Sequence, residues 1–334
     1  MILVTGGTGL VGSHLLYELA KRGEKVKALI RNKRSLAAVK KVFSFYSDQA
    51  ELLFESIEWV IGDVLDMYSL NEAFMGISKV YHCAAIVSIG GKKKNDLIAA
   101  NVTGTEYVVN LCLNHKIKKF CHVSSIAALG NSLNGELIDE ETSWSSSKTH
   151  SAYSISKYKS EMEVWRAVQE GLNAVIVNPS VIIGPGFWNS GSGALFKKAS
   201  LGMKYYTTGS TGFVDVRDVV ECMIELMENE ITNERFIINS ENLNYKELFT
   251  KISEAIGVKA PIKEATKNIL QIAGVFDSIA NKIGLKKKEI TRDVIKASIS
   301  KSMYTNYKIK NTLGKTFISI DKSIEDTAEK LRKN

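Results

Sequence analysis

The chain has 334 residues, with 44 basic and 36 acidic side chains and a net charge of +8. That length sets an expectation of two domains, or one large α/β unit with an appendage, able to bury roughly 75% of its unfolded surface without disulfide or metal staples. Apolar residues at 45% and charged residues at 24% exclude a disordered, collagen-like or coiled-coil chain.

The basic residues fall in short scattered runs, Arg31 to Arg34, Lys92 to Lys94, Lys116 to Lys119 and Lys286 to Lys288. They read as a lysine-rich solvated surface rather than a nucleic-acid site. Cys83, Cys112, Cys121 and Cys222 form no CxxC pair, and the five histidines never take an HExxH spacing, so neither a metal nor a disulfide framework is expected. No apolar run approaches about 18 residues, and the chain opens on a strand-like segment without a leader. A reduced, cytoplasmic protein with no membrane span is expected.

Through about residue 180, β-type runs alternate with helical stretches: Met1–Thr5, Lys25–Ile30, Ile57–Ile61, Lys79–Cys83, Lys119–Val123 and Asn173–Val177. Most are apolar at nearly every position, as strands buried on both faces are, and the intervening helices imply right-handed crossovers. The predicted fold is a doubly wound α/β parallel sheet (Rossmann) of six or seven strands over residues 1–180. Beyond Pro179 the chain is rich in glycine, serine and asparagine at Gly184–Gly193, then mostly helical, with one strand-like run at Arg235–Asn239. A smaller, mostly helical substrate-binding domain is expected over 181–334, with part of about 206–240 returning to the first domain.

The first run ends in Thr5-Gly6-Gly7-Thr8-Gly9-Leu10-Val11-Gly12 and opens a helical stretch, Ser13–Lys21. Glycines at such a turn permit a tight bend, let the backbone approach a pyrophosphate and allow close helix packing, while the helix N-terminus supplies N–H donors. Gly6, Thr8, Gly9, Leu10, Val11 and Gly12 are therefore candidate dinucleotide contacts.

The second run is followed by Ile30-Arg31-Asn32-Lys33-Arg34, where an NAD site usually carries an acid for the ribose 2′-hydroxyl. Arginines match a 2′-phosphate in charge and geometry, so Arg31 and Arg34 favour NADP(H), with NAD(H) as the alternative. The plain reading is that they are solvated loop cations. After the third run come Asp63 and Val64. The Asp63 carboxylate could accept from the adenine amino group, or Asp63 or Asp66 could cap a helix beginning near Met67.

The fifth run ends in Val123-Ser124-Ser125-Ile126, at the carboxyl edge of the sheet, where ligands of doubly wound folds bind. Tyr153 and Lys157 follow, four apart on one face of a helical stretch reaching about Glu170, so an ammonium can favour the phenolate. Tyr17/Lys21 and Tyr304/Lys308 share that spacing; the place of Tyr153 after the fifth run selects it. A strand-end serine could then donate to a substrate carbonyl, with Tyr153 as general acid and Lys157 tuning it.

Between Lys263 and Leu285, Ile269, Ile272, Ala273, Phe276, Ile279, Ala280 and Ile283 recur at helical spacing. This stripe reads as core, with an apolar pocket lining or a membrane-surface face as alternatives.

With these motifs in hand, the chain resembles an extended short-chain dehydrogenase/reductase, the group of nucleotide-sugar epimerases, dehydratases and dihydroflavonol-reductase-like enzymes. The likeness spans essentially the whole chain: TGGTGLVG at 5–12, GDV at 62–64, HCAA at 82–85, NVTGT at 101–105, VSSIAALG at 123–130, YSISK at 153–157, NPSVIIGPG at 178–186 and FVDVRDVV at 213–220. NTLG at 311–314 and the acidic helix after it also fit.

The resemblance implies a catalytic triad of Ser125, Tyr153 and Lys157, with Ser125 preferred to Ser124 because it stands five residues before Gly130. It further implies that Lys157 bonds the nicotinamide ribose, that Ala84 and Ala85 pass beneath the cofactor and that Pro179 to Val181 touch its nicotinamide end. Ser125, Ile126 and Tyr153 would face a small-molecule substrate. Asn101 is either a structural or proton-path residue or an asparagine bonding backbone at a helix start. Relatives of this kind pair through helices near Asp96–Asn114 and Tyr153–Glu170, so a homodimer is expected.

Sugar epimerases of the group keep an acid after the second strand and hold NAD throughout their cycle. Arg31 in that region and the stretch Asn178–Pro185 point instead to a reductase. The expected function is NADP(H)-dependent reduction of a ketone or aldehyde. A nucleotide-sugar epimerase or dehydratase with retained NAD is the alternative, and a non-catalytic dinucleotide sensor or scaffold is the second; the intact triad argues against the latter.

Overall fold

The computed structural model describes residues 1–87, 94–131, 135–145, 150–282 and 290–333. Its strands are β1 Ile2–Thr5, β2 Val26–Ile30, β3 Glu58–Ile61, β4 Lys79–His82, β5 Lys119–Val123, β6 Ala174–Pro179, β7 Val181–Ile183, β8 Tyr205–Tyr206, β9 Ser210–Asp215, β10 Glu234–Ile238, β11 Glu241–Asn244 and β12 Lys263–Glu264. Seven of them form one sheet in the order β10-β6-β5-β4-β1-β2-β3. Every pairing in it is parallel.

Successive side chains of a strand point to opposite faces, so a run apolar at every position feeds two cores. Val4, Ala28, Cys121 and Val175 meet Leu15, Leu16 and Leu19 of the Leu10–Lys21 helix and Val219 and Met223 of the Val216–Glu228 helix. On the other face, Leu3, Leu29, Val80, Phe120 and Ile176 meet Leu70, Phe74, Val108 and Val164. This is the doubly wound architecture expected. The chain winds outward through β1, β2 and β3, then returns to β4 on the far side of β1, which puts the topological switch point between β1 and β4.

The later chain carries more strand than its single expected run. β10 pairs with β6 and closes the large sheet, while β9 pairs with β7 and β11 in a second sheet and β8 pairs with β12. Phe213 of β9 packs with Phe196, Leu248, Ile252 and Ile324 in a separate core. These strands are short and polar at many positions, so no apolar run announces them.

The stripe expected as core is not core. In the Lys267–Lys282 helix, Ile269, Ile272 and Phe276 are 40%, 58% and 67% exposed. The helix turns Asp277 and Gly274 inward instead. The side chains of Ile279, Ala280 and Ile283 lie outside the described residues, as do Lys92, Lys93 and Lys286 to Lys288.

Candidate active site

At the end of β1 the backbone turns so tightly that two glycines have no substitute. Gly6 has φ +71°, and a Cβ there would lie 2.4 Å from the Ala84 nitrogen just past β4. A Cβ on Gly12 would lie 2.3 Å from the Gly6 carbonyl oxygen. Gly9 differs: its Cβ would meet only that same oxygen, at 3.5 Å, so it faces open space. Gly9 also caps the Leu10–Lys21 helix without a side chain, and no acid stands in the first turn, so the positive end of the helix dipole is left available. Thr8, Leu10 and Val11 complete this loop, and Ala84 and Ala85 line its far side, half-buried.

After β2, the Asn32 Oδ1 accepts from the Arg34 backbone N–H at 3.1 Å and the Ser35 hydroxyl donates to the Asn32 carbonyl at 2.8 Å. This turn holds Arg31, Lys33 and Arg34 exposed, and among the described residues none of them is ion-paired. After β3, Asp66 is the cap of the Met67–Ala73 helix, accepting from the Tyr68 N–H at 3.2 Å. One Asp63 oxygen is used locally, accepting from the Leu65 N–H at 3.0 Å. Val64 packs against Gly104.

Ser125, Tyr153 and Lys157 come together at the carboxyl ends of β5 and β6. The Ser125 Oγ accepts from the Ala127 N–H at 3.1 Å and so begins a short helical turn that holds it at the end of β5. Ser124 is buried, whereas Ser125 is half-buried and its hydroxyl neighbours the Tyr153 phenol. Burial raises the phenol's pKa, and the neighbouring Ser125 hydroxyl opposes the rise. Lys157, one turn along the Ala152–Gln169 helix, is 3% exposed and donates from Nζ to the Val123 carbonyl at 2.8 Å. Burial pushes its pKa down to about 8, with the carboxylate of Glu161 opposing. Ile126, Pro179 and Val181 lie at the same edge of the sheets, the last two at the end of β6 and start of β7.

Asn101 is buried in a π-helical turn, Ala99–Thr103, rather than at a helix start. Its Oδ1 accepts from the Ile86 N–H at 2.7 Å and its Nδ2 donates to the Ile86 carbonyl at 3.1 Å and the Ser156 Oγ at 3.0 Å. The Ser156 hydroxyl donates in turn to the Tyr153 carbonyl at 2.8 Å, so Asn101 ties the segment after β4 to the turn that carries the phenol.

Sequence reasoning passed over the polar support beneath this triad. Glu161, fully buried, accepts from the Asn178 Nδ2 at 2.5 Å and pairs with the Arg235 Nη1 at 3.3 Å. The same Asn178 Nδ2 donates to the Ser125 carbonyl at 3.0 Å. Burial raises the Glu161 pKa, and its bonds to Arg235 and Asn178 oppose that. The signal was present: Tyr153, Lys157 and Glu161 are spaced by four along one helix face. Below them His82 and His122 stack at 5.4 Å between ring centres. The Thr5 and Thr105 hydroxyls lie 2.7 and 3.0 Å from the His82 ring nitrogens, and burial holds its pKa down at about 3.

The family model for the NAD dependent epimerase/dehydratase family matches residues 2–239. A protein of Synechocystis sp. provisionally named a dihydroflavonol 4-reductase is 29% identical over 332 residues, covering 97% of this chain and 92% of the relative. Sterol demethylase protein B of Methylococcus capsulatus is 31% identical over 261 residues, 78% of this chain and 75% of the relative. Among solved structures, the UDP-glucose 4-epimerase of Thermotoga maritima with UDP-glucose superposes with a TM-score of 0.77 at 21% identity, covering 99% of this chain and 98% of that one.

Proposed function

The chain belongs to the NAD dependent epimerase/dehydratase family, and we propose that within it this protein is an NADP(H)-dependent oxidoreductase that reduces a ketone or aldehyde. The observation that carries the reading is the convergence of the Ser125 hydroxyl and the Tyr153 phenol, with Lys157 one helical turn away, at the carboxyl edge of the sheet near its switch point.

The residues present suit a dinucleotide. The Gly6–Gly12 loop offers backbone N–H groups and the open face of Gly9 to the pyrophosphate. Asp63 and Val64 flank the adenine, Arg31 and Arg34 hold a ribose 2′-phosphate, and Ala84, Ala85, Pro179 and Val181 line the nicotinamide half. When bound, the cofactor supplies the hydride that the carbonyl carbon accepts. Ser125 donates to the substrate oxygen and holds it beside Tyr153. The phenol gives its proton to that oxygen as the alcohol forms, and the Lys157 ammonium stabilises the phenolate left behind. Lys157 keeps two donor protons beyond the one given to Val123, enough for ribose hydroxyls. Residues 1–180, with β10, serve the dinucleotide, and the remainder shapes the substrate site.

The likeness to the provisionally named dihydroflavonol 4-reductase of Synechocystis sp. supports a reductase over a sugar epimerase. So does the run of unpaired cations after β2, where a retained NAD would call for an acid. Tyr153→Phe is the direct test of the chemistry. It should bind NADPH as the wild type does and reduce a carbonyl panel at least about a hundredfold more slowly. Turnover at the wild-type rate, with cofactor binding unchanged, would remove Tyr153 from its role.

A further inference from the structure

Globular helices turn their apolar stripe inward, and the Lys267–Lys282 helix does the opposite. Ile269, Ile272, Val275 and Phe276 are 40% to 67% exposed and occupy one side of nearly two turns. The arrangement is held firmly: the buried Asp277 carboxylate accepts from the Ile290 N–H at 2.8 Å and so ties this helix to the start of the segment leading into the Arg292–Ile299 helix. Between the two helices runs a groove of about 830 Å³ with Val275, Ile290, Ile295 and Ile299 on its walls. Its charged lining is entirely cationic, Lys267, Arg292 and Lys296.

We propose that this helix pair docks the protein onto an anionic lipid bilayer surface, with the Ile269/Ile272/Val275/Phe276 face entering the headgroup boundary and the basic side chains around it meeting lipid phosphates. Charge selects this occupant. Among the described residues between 259 and 303, seven lysines and arginines stand against three acids. One of those acids, Asp277, is buried. A second copy would oppose one basic face with another, whereas an anionic leaflet complements the cations and accepts the apolar side chains. No helix among the described residues is long and apolar enough to cross a membrane, so the contact is interfacial. Such docking suits an enzyme whose carbonyl substrate partitions into lipid, but it does not depend on the reductase chemistry.

The full chain should co-sediment with phosphatidylcholine vesicles containing about 30% phosphatidylglycerol, and at least about tenfold more weakly with phosphatidylcholine alone. Raising salt should release it. Ile272→Ser/Phe276→Ser should lose about tenfold or more of that binding while keeping the wild-type melting temperature and NADPH affinity, since both side chains are exposed. Lys267→Glu/Arg292→Glu should lose binding to the anionic vesicles alone. Equal vesicle binding by the wild type and the apolar double variant overturns the proposal, as does failure of the wild type to bind anionic vesicles. A wild-type dimer that Phe276→Ser dissociates would assign the face to a second copy. Slower reduction of a water-soluble carbonyl by the serine variant without lipid would assign it to the substrate site.

Discussion

Lys157 Nζ donates to the Val123 carbonyl at 2.8 Å across 34 residues of sequence, and this bond clamps the helix that carries Tyr153 to the strand that ends in Ser125. The ammonium is thereby fixed in a buried position whose cost shows in its pKa, held down to about 8.

A pH dependence follows. The charged form of Lys157 is present below about pH 8 and is lost as the pH rises through it. Carbonyl reduction should therefore be level up to that point in kcat/KM and decline above it. Glu161→Gln removes the buried carboxylate that opposes the desolvation, so the break should move to lower pH. A pH–rate profile whose break stays in place in Glu161→Gln would show that the carboxylate does not support Lys157.

The glycine loop separates folding from binding. Gly12→Ala drives a Cβ into the Gly6 carbonyl, 2.3 Å away, and should lower the melting temperature sharply. Gly9→Ala meets only an ordinary 3.5 Å contact, so the protein should melt as the wild type does. Its dinucleotide affinity should nonetheless fall at least about tenfold, because the methyl takes the space proposed for the pyrophosphate. Calorimetry and a cofactor titration on the two variants decide this; unchanged affinity in Gly9→Ala would move the phosphates elsewhere.

Arg31→Ala/Arg34→Ala should weaken NADPH by roughly 10- to 100-fold, the scale of charge-assisted phosphate contacts, and leave NADH within about twofold. Equal losses for both cofactors would mean that these cations serve general electrostatics rather than a 2′-phosphate.

His122 offers a stability test away from the chemistry. Both ring nitrogens are buried without a partner among the described residues, and burial holds the pKa well below the ordinary value. As pH falls below about 6.5 the unfolded chain takes up a proton first, so this residue's contribution drains away from the native state. His122→Phe removes both the unsatisfied nitrogens and that slope. The melting temperature should rise by about 2 °C near pH 7.5 and by more near pH 5. A lower melting temperature at both would mean that the imidazole has a partner.

Much of this was legible before any coordinates. The inner strands β1 and β2 are buried at every position because they are covered on both faces, and the expected run Lys119–Val123 matches β5 at both ends. That Ser125, Tyr153 and Lys157 meet at one edge of the sheet beyond the glycine loop is legible because strand order and helical spacing place them there. β9 and β11 were not, since Ser210–Asp215 and Glu241–Asn244 mix polar and apolar positions without a clean period. Glu161 and Arg235 were hidden for another reason: they are 74 residues apart, and nothing local says that such charges meet in a buried pair. The Ile269–Phe276 stripe misled because periodicity shows that a face is apolar but not which way it turns.

The central claim is an exchanging NADP(H) cosubstrate serving a carbonyl reduction, and the nucleotide content of the purified protein tests it most directly. Denaturing fresh protein and identifying what is released, followed by titration of the native sample with NADPH and NADH, should find little bound nucleotide and tighter binding of NADPH. Near-stoichiometric NAD in the release would contradict the account, because a retained NAD belongs to an epimerase or dehydratase cycle and would leave Arg31 and Arg34 without a phosphate to hold.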